Sequence, residues 1–298
     1  MRAERSEAAG GVREPSYILI TWCPDTTGIV AGVAGFLASH NALITEAQHY
    51  DDPSTNTSFM RTVFRDNGQG MFPIAELDLQ FGENVARRFK MSWQFHDARR
   101  KCKTLLAVSR NGQCLNSILH RCSTGTLPLE VTAVVSNHQD LRSLAEWHGL
   151  PYHYLPIING DKAAQEKRIV EVFEKSGAEL LVLARYMQIL TADSCRYFDG
   201  RAINIHHSFL PGFKGAKAYH QAHQRGVKLI GATAHYVTTD LDEGPIIEQG
   251  VERVDHTLTA ENLTVIGSEL ESIVLNRALL WHAERRVLRN GNKTVVLK

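Results

Sequence analysis

The 298-residue sequence has no apolar run approaching the roughly 18–20 residues that cross a bilayer, so nothing in it reads as a membrane span. It has almost no net charge: 33 Lys and Arg stand against 32 Asp and Glu, giving +1 at pH 7. That balance supplies no field to draw the chain to nucleic acid or to an anionic membrane surface. Cysteine is scarce and odd in number, with Cys23, Cys102, Cys114, Cys122 and Cys195 and no Cys-x-x-Cys spacing. This argues against a disulfide scaffold or a zinc site, and free thiols in a reducing cytoplasm are expected. The opening MRAERSEAAGGV lacks an apolar signal core, so residues 1–14 are expected to be a disordered tail and not a targeting segment. Internal repeats and low-complexity segments are missing as well.

What is present is ordinary for a globular protein, with 43% hydrophobic and 22% charged residues, and the length favours two domains. Tyr17 to Trp22 reads as a strand that turns at Cys23-Pro24-Asp25-x-x-Gly28. Asp25 is expected to cap the helix carrying Ile29, Val30, Val33, Ala34 and Leu37. Strands are expected over 43–50 and 58–64, a helix from Pro73 to about Phe89, and a fourth strand over 91–95. The order β-α-β-β-α-β makes 15–96 a ferredoxin-like unit, and the polar, basic 97–103 is expected as the linker.

From 104 to 298, strands at 104–109, 129–136, 152–155 and 180–184 alternate with helices at 113–121, 140–148 and 162–175. The alternation argues an α/β fold with a mostly parallel, Rossmann-like sheet and a ligand site outside the carboxyl ends of its strands. Thr259 is placed to cap a long helix from Ala260 to about Arg285, and Asn290-Gly291 to turn a final hairpin.

The chemistry concentrates between Ile203 and Gln249. In a short strand, Asn204 and His206 face the same way. A second strand over 233–237 leads into Asp240-Leu-Asp242-Glu-Gly244-Pro, a turn that presents a carboxylate. An amide, an imidazole and a carboxylate together can polarise a carbonyl and manage one proton, which suits attack on an acyl group. Asp240 and Glu243 read as solvated loop charges. His207, His220, His223 and His235 lack any Glu-x-x-His or His-x-Glu signature, so no metal site is expected. Ser208 lacks the Gly-x-Ser-x-Gly elbow of a nucleophile.

Asn204-x-His206-x-Ser208, Leu210-Pro211-x-Phe213-x-Gly215 and Leu241-Asp242-x-Gly244-x-Ile246-Ile247 resemble the formyltransferase family that uses 10-formyltetrahydrofolate. With Tyr219-His220-Gln221-Ala222 and Gly231 to Tyr236, the longer string is similar to the formyltetrahydrofolate deformylases of that family. The resemblance runs from about Tyr17 to the C-terminus. It implies a small N-terminal ACT domain, in which Asp25 and Gly28 mark the turn that holds an amino-acid effector. It implies catalysis by Asn204, His206 and Asp242. It implies a folate pocket lined by Met187, Gln188, Ile189, Leu190, Thr238, Thr239, Asp240, Leu241 and Gly215. The implied reaction is hydrolysis of 10-formyltetrahydrofolate to tetrahydrofolate and formate, in the one-carbon metabolism that supplies purine biosynthesis, with no metal or redox cofactor. A cytoplasmic homo-oligomer, dimer or tetramer, goes with it.

Two other readings stand beside hydrolysis: formyl transfer to an amine, and a non-catalytic folate or amino-acid sensor. Transferases that formylate glycinamide ribonucleotide carry a glycine-rich loop after the first strand of this domain, where backbone N–H groups cradle a phosphate. Here that position reads Ser109-Arg110-Asn111-Gly112-Gln113-Cys114-Leu115, with one glycine, which favours water as acceptor.

Overall fold

The computed structural model describes residues 15–212 and 218–298; the tail expected at 1–14 lies outside them. The chain divides into two compact units, 1–100 and 101–298.

The first unit is built in the order β1 (Ser16–Pro24), α1 (Ile29–Ser39), β2 (Ala42–Asp52), β3 (Thr57–Asp66) and α2 (Ile74–Phe81). A π turn (Gly82–Ala86) carries α2 into α3 (Arg87–Phe89), and β4 (Ser92–Asp97) follows. The four strands pair antiparallel in the order β2-β3-β1-β4, a ferredoxin-like arrangement. Leu19, Met60 and Phe64 share one core with Val33 and Leu37 of α1 and with Leu77 and Phe81 of α2, which puts both helices on one face of the sheet.

Two local expectations change. Asp25 does not cap α1: the N-cap is Gly28, left-handed at φ 97° and without a side-chain cap. A capping side chain reaches only the first-turn N–H groups, and Asp25 stands three residues ahead of Gly28, with its own N–H bonded to Asn56 O at 2.9 Å. The expected linker at 97–103 shrinks to 98–101, because β4 pairs Asp97 with Tyr17 and the next strand starts at Cys102. A sheet-edge strand keeps its backbone ladder through polar residues such as His96 and Asp97, so their side chains gave no sign of it.

The second unit continues with β5 (Cys102–Val108), α4 (Gln113–Ser123), β6 (Leu129–Ser136), α5 (Arg142–Trp147), β7 (Tyr152–Tyr154), α6 (Lys162–Lys175), β8 (Leu180–Leu183) and α7 (Ala192–Tyr197). Then come β9 (Ala202–His206), α8 (Ala218–Gln224), β10 (Leu229–Tyr236), β11 (Ile246–Arg253), α9 (Ala260–Ala283), β12 (Val287–Asn290) and β13 (Lys293–Val296). Seven strands form one sheet, β11-β10-β9-β8-β5-β6-β7. From β9 to β7 every pairing is parallel, while β10 and β11 add antiparallel.

Strand alternation decides which face each residue covers. Leu106, Val134, Val182 and Ile203 pack with Leu115 and Ile118 of α4 and Val274 and Leu275 of α9. Their neighbours Leu105, Ala133, Leu181 and Leu183 pack on the other face with Ile169 and Phe173 of α6 and Cys195 of α7. The long α9 starts where expected, at a capping box in which Thr259 and Asn262 exchange side-chain and backbone bonds at 3.0 and 3.2 Å.

β10 begins four residues before the expected 233, with Gly231 inside it. A glycine in a strand pattern reads as a break, but here it marks a close approach. A Cβ at 231 would lie 2.6 Å from Phe209 Cβ and 2.9 Å from Gly250 O.

Candidate active site

β9 outruns its neighbour. Leu183, the last residue of β8, pairs with Asn204, so Ile205 and His206 continue past the end of β8. A cavity of about 260 Å³ opens there. Its lining includes Asn204, His206, His207, His235 and Asp242, the segment 186–190 after β8, and the segment 237–241 after β10. Met187, Gln188, Ile189, Leu190, Thr238, Thr239, Asp240 and Leu241 therefore share one cavity with the three polar candidates. Gly215 lies outside the described residues.

Because β10 is antiparallel to β9, the loop that carries Asp242 starts beside the beginning of β9, where Val237 N donates to Ala202 O at 3.0 Å. It then climbs back along β9 until Asp242 Oδ1 stands 3.3 Å from His206 Nδ1 and 3.8 Å from His235 Nε2. Asp242 sits in the left-handed region at φ 58°, a conformation that Asp tolerates better than most residues. Gly244 holds the return, with no room for a side chain: a Cβ there would lie 1.7 Å from Tyr236 O and 3.2 Å from His235 Nδ1.

His235 belongs to the constellation, although its sequence context gave it no role. In the β9–β10 ladder it is paired directly with Asn204. Its Nδ1 lies 2.8 Å from the Tyr236 carbonyl, which only accepts, so Nδ1 carries the proton. Nε2 is then the acceptor for the Asn204 amide nitrogen at 3.3 Å. Burial lowers the His235 pKa and keeps the ring neutral, against the pull of the Tyr236 carbonyl bond and the Asp242 charge. One amide N–H of Asn204 is thus committed to His235, and an amide nitrogen has a second. The sequence did hold one signal: His235 lies two residues from both Thr233 and Val237, on one face of the expected strand.

Burial would raise the Asp242 carboxyl, but the His206 hydrogen bond and charge, with His235 and His207 adding, outweigh it and hold the pKa below the usual range. The carboxylate is therefore the working form at neutral pH. Among the described residues, no group of three or more His, Cys, Asp and Glu is arranged to hold a metal ion.

The 186–190 wall is held at both ends by groups not anticipated. Ser109 Oγ, at the end of β5, accepts from Met187 N at 3.1 Å and donates to Asn137 Oδ1 at 2.8 Å. Buried Glu166 accepts from Thr191 N at 3.0 Å and from the Thr191 and Ser194 hydroxyls, which anchors the start of α7 just past Leu190. Gly112, the one glycine of the loop after β5, is the N-cap of α4, and a Cβ there would meet Leu141 Cδ2 at 2.9 Å. On the other side of His207, the Thr233 hydroxyl links the ends of the 208–210 segment, donating to Ser208 O at 2.9 Å and accepting from Leu210 N at 3.1 Å.

Residues 102–279 match the formyl transferase family. A formyltetrahydrofolate deformylase from Corynebacterium sp. (strain P-1) is 46% identical over 282 residues, spanning 95% of this chain and 98% of that protein. The chain belongs to the formyltetrahydrofolate deformylase family. A Bacillus subtilis (strain 168) deformylase is 45% identical, across 99% of this chain and 98% of its own. The crystal structure of a deformylase from Burkholderia mallei ATCC 23344 superposes with a TM-score of 0.90 at 48% identity, covering 95% of this chain and 100% of that one. The second unit accordingly has the formyltransferase fold, and no helix among the described residues is long and apolar enough to cross a membrane.

In this deformylase-family chain the Gly244 return gives a direct test of how the carboxylate is held. Gly244→Ala forces a methyl group onto the Tyr236 carbonyl, and overpacking of this kind costs about 1–3 kcal/mol. A lowered Tm in thermal denaturation is expected. An unchanged Tm would show that the loop yields freely and does not fix Asp242.

Proposed function

We propose that the chain hydrolyses 10-formyltetrahydrofolate to tetrahydrofolate and formate in the cavity at the end of β8. The observation that carries this reading is the packing of Asn204, His206 and Asp242 into one polar corner of that cavity. In the proposed chemistry the folate lies between the 186–190 and 238–241 segments, with its formyl group against the polar corner. Met187, Ile189 and Leu241 expose apolar surface there, which suits a flat heterocycle. Asp242 accepts a hydrogen bond from the attacking water and takes its proton as the oxygen adds to the formyl carbon. The His206 ring and the second Asn204 N–H donate to the oxygen on which negative charge builds. Collapse of the tetrahedral adduct returns the proton to N10 of the folate and releases formate. These steps call on no metal or redox group, because the fixed donors of His206 and Asn204 supply the polarisation and Asp242 takes the proton.

The first unit, on this reading, is an ACT-type regulatory domain. Its ferredoxin-like order and the left-handed Gly28 turn after β1 support that assignment, with Asp25 and Gly28 beside an amino-acid effector. A cytoplasmic homo-oligomer serving purine biosynthesis is part of the same proposal.

Formate release from 10-formyltetrahydrofolate, measured with and without glycinamide ribonucleotide, tests the reaction. The expected result is formate at the same rate in both mixtures and no formylated nucleotide. Gly112 supports this outcome, since it is spent on contact with Leu141 and leaves the loop after β5 without a glycine cradle. Formylation of the amine outrunning hydrolysis would replace this reading with a transferase.

A further inference from the structure

Behind the two active-site histidines lies a buried polar cluster that the proposed chemistry does not use. The Glu271 side chain, on α9, is 1% exposed and faces Arg185, with Nε to Oε2 at 3.3 Å and Nη1 to Oε1 at 3.4 Å. Tyr219 of α8 donates its hydroxyl to Glu271 Oε1 at 2.7 Å. The Tyr219 ring is seated against bare helix: a Cβ at Gly267 would come 2.0 Å from its Cζ. On its other side that ring lies 6.0 Å from the His207 ring, and His207 lies 5.0 Å from His206 at 33°. A continuous line of contacts therefore runs from Arg185 through Glu271, Tyr219 and His207 to His206.

As a stabilising device the cluster is poor. A buried ion pair commonly does no better for stability than apolar residues of the same volume. Here Arg185 Nε and Glu271 Oε2 face each other at ion-pair distance without hydrogen-bond geometry. Arg185 also stands in the left-handed region at φ 62°, which turns the chain from β8 into the 186–190 wall. What the cluster does achieve is to hold one aromatic ring, Tyr219, against α9 at Glu271 and Gly267, with Arg185 bracing Glu271, and that ring lies beside a histidine of the site. The electrostatics run the same way. Burial raises the Glu271 carboxyl, while Arg185, the Tyr219 hydroxyl and His206 oppose the rise, so Glu271 senses the active-site charge.

We propose that Arg185, Glu271 and Tyr219 are positioning residues that set the ring orientation of His207 and, through it, of His206. The inference rests on the proposed hydrolysis, and its test includes a measurement independent of it. Tyr219→Phe keeps the ring against His207 and Gly267 and removes only the tether to Glu271. Small misplacements at a catalytic group are expensive in rate, so kcat is expected to fall about tenfold, with KM for 10-formyltetrahydrofolate within about twofold of wild type. In a His207→Ala background the same substitution is expected to have no further effect, because coupled residues are not additive. Glu271→Gln leaves Arg185 buried without its counter-charge and is expected to lose stability, so Tyr219→Phe carries the kinetic arm. The second arm records histidine-ring NMR resonances of the substrate-free protein, where those of His207 and His206 are expected to move in Tyr219→Phe. An unchanged kcat, a loss of equal size in the His207→Ala background, or unmoved resonances would overturn the proposal. If wild type releases no formate, the proposed function fails and the resonances alone decide this inference.

Discussion

Asp242→Asn is expected to lower formate release by about 10²–10⁴-fold, the range for loss of a positioned proton-transfer group, with folate binding nearly intact. The substitution isolates charge. Asparagine has the shape of aspartate and, like it, accepts the left-handed φ of 58° seen here, so the loop pinned by Gly244 has no reason to move. What disappears is the carboxylate that accepts the water proton and stands 3.3 Å from His206. The wild-type acid limb provides a second readout. A carboxyl whose folded pKa is depressed contributes stability above its unfolded value and loses it as pH falls through the lowered one. Asp242, held low chiefly by His206 against the effect of its own burial, is therefore expected to keep activity through the ordinary carboxylate range and lose it below. Formate release within about threefold of wild type would remove Asp242 from the chemistry.

His206→Ala is expected to cost about 10²–10³-fold in kcat, the scale of losing one donor to a developing oxyanion. The ring is 5% exposed and ends β9, so truncation leaves a space at the cavity's polar corner and also strips Asp242 of its nearest hydrogen-bond partner. The two residues work as a pair, and single losses in such pairs are not additive. The double variant Asp242→Asn with His206→Ala is accordingly expected to fall little below the worse single one. Full additivity, measured by formate release at saturating folate, would show that the two groups act independently.

Most of this site was legible because its parts are local. Asn204 and His206 were readable as one strand face from alternation, and Asp242 from the turn around Gly244. His235 was not legible, although it is the partner that orients Asn204. Its place depends on β10 lying antiparallel beside β9, and that pairing is set by the tertiary path through α8, which no local pattern encodes. Ser109 and Glu166 were hidden for the same reason: each acts on a segment far along the chain, Met187 and Thr191. In the first unit the β-α-β-β-α-β order followed from periodicity, but the exit of β4 through His96 and Asp97 did not, since backbone pairing at an edge leaves no trace in polar side chains.

The junction where the sheet changes from parallel to antiparallel has a consequence for how such a chain can vary. Across it His235 is opposite Asn204 and Thr233 is opposite His206. Side chains alternate with a period of two, so a shift of one residue would send every group on β10 to the opposite face. Asn204 would lose the acceptor that orients it, and the segment over Ser208 would lose the Thr233 hydroxyl that braces it. The sheet itself could survive the slip. A slip of two restores the face but sets Thr233 or Val237 opposite Asn204 in place of His235, so the strand's reading frame is inherited together with the chemistry it aligns.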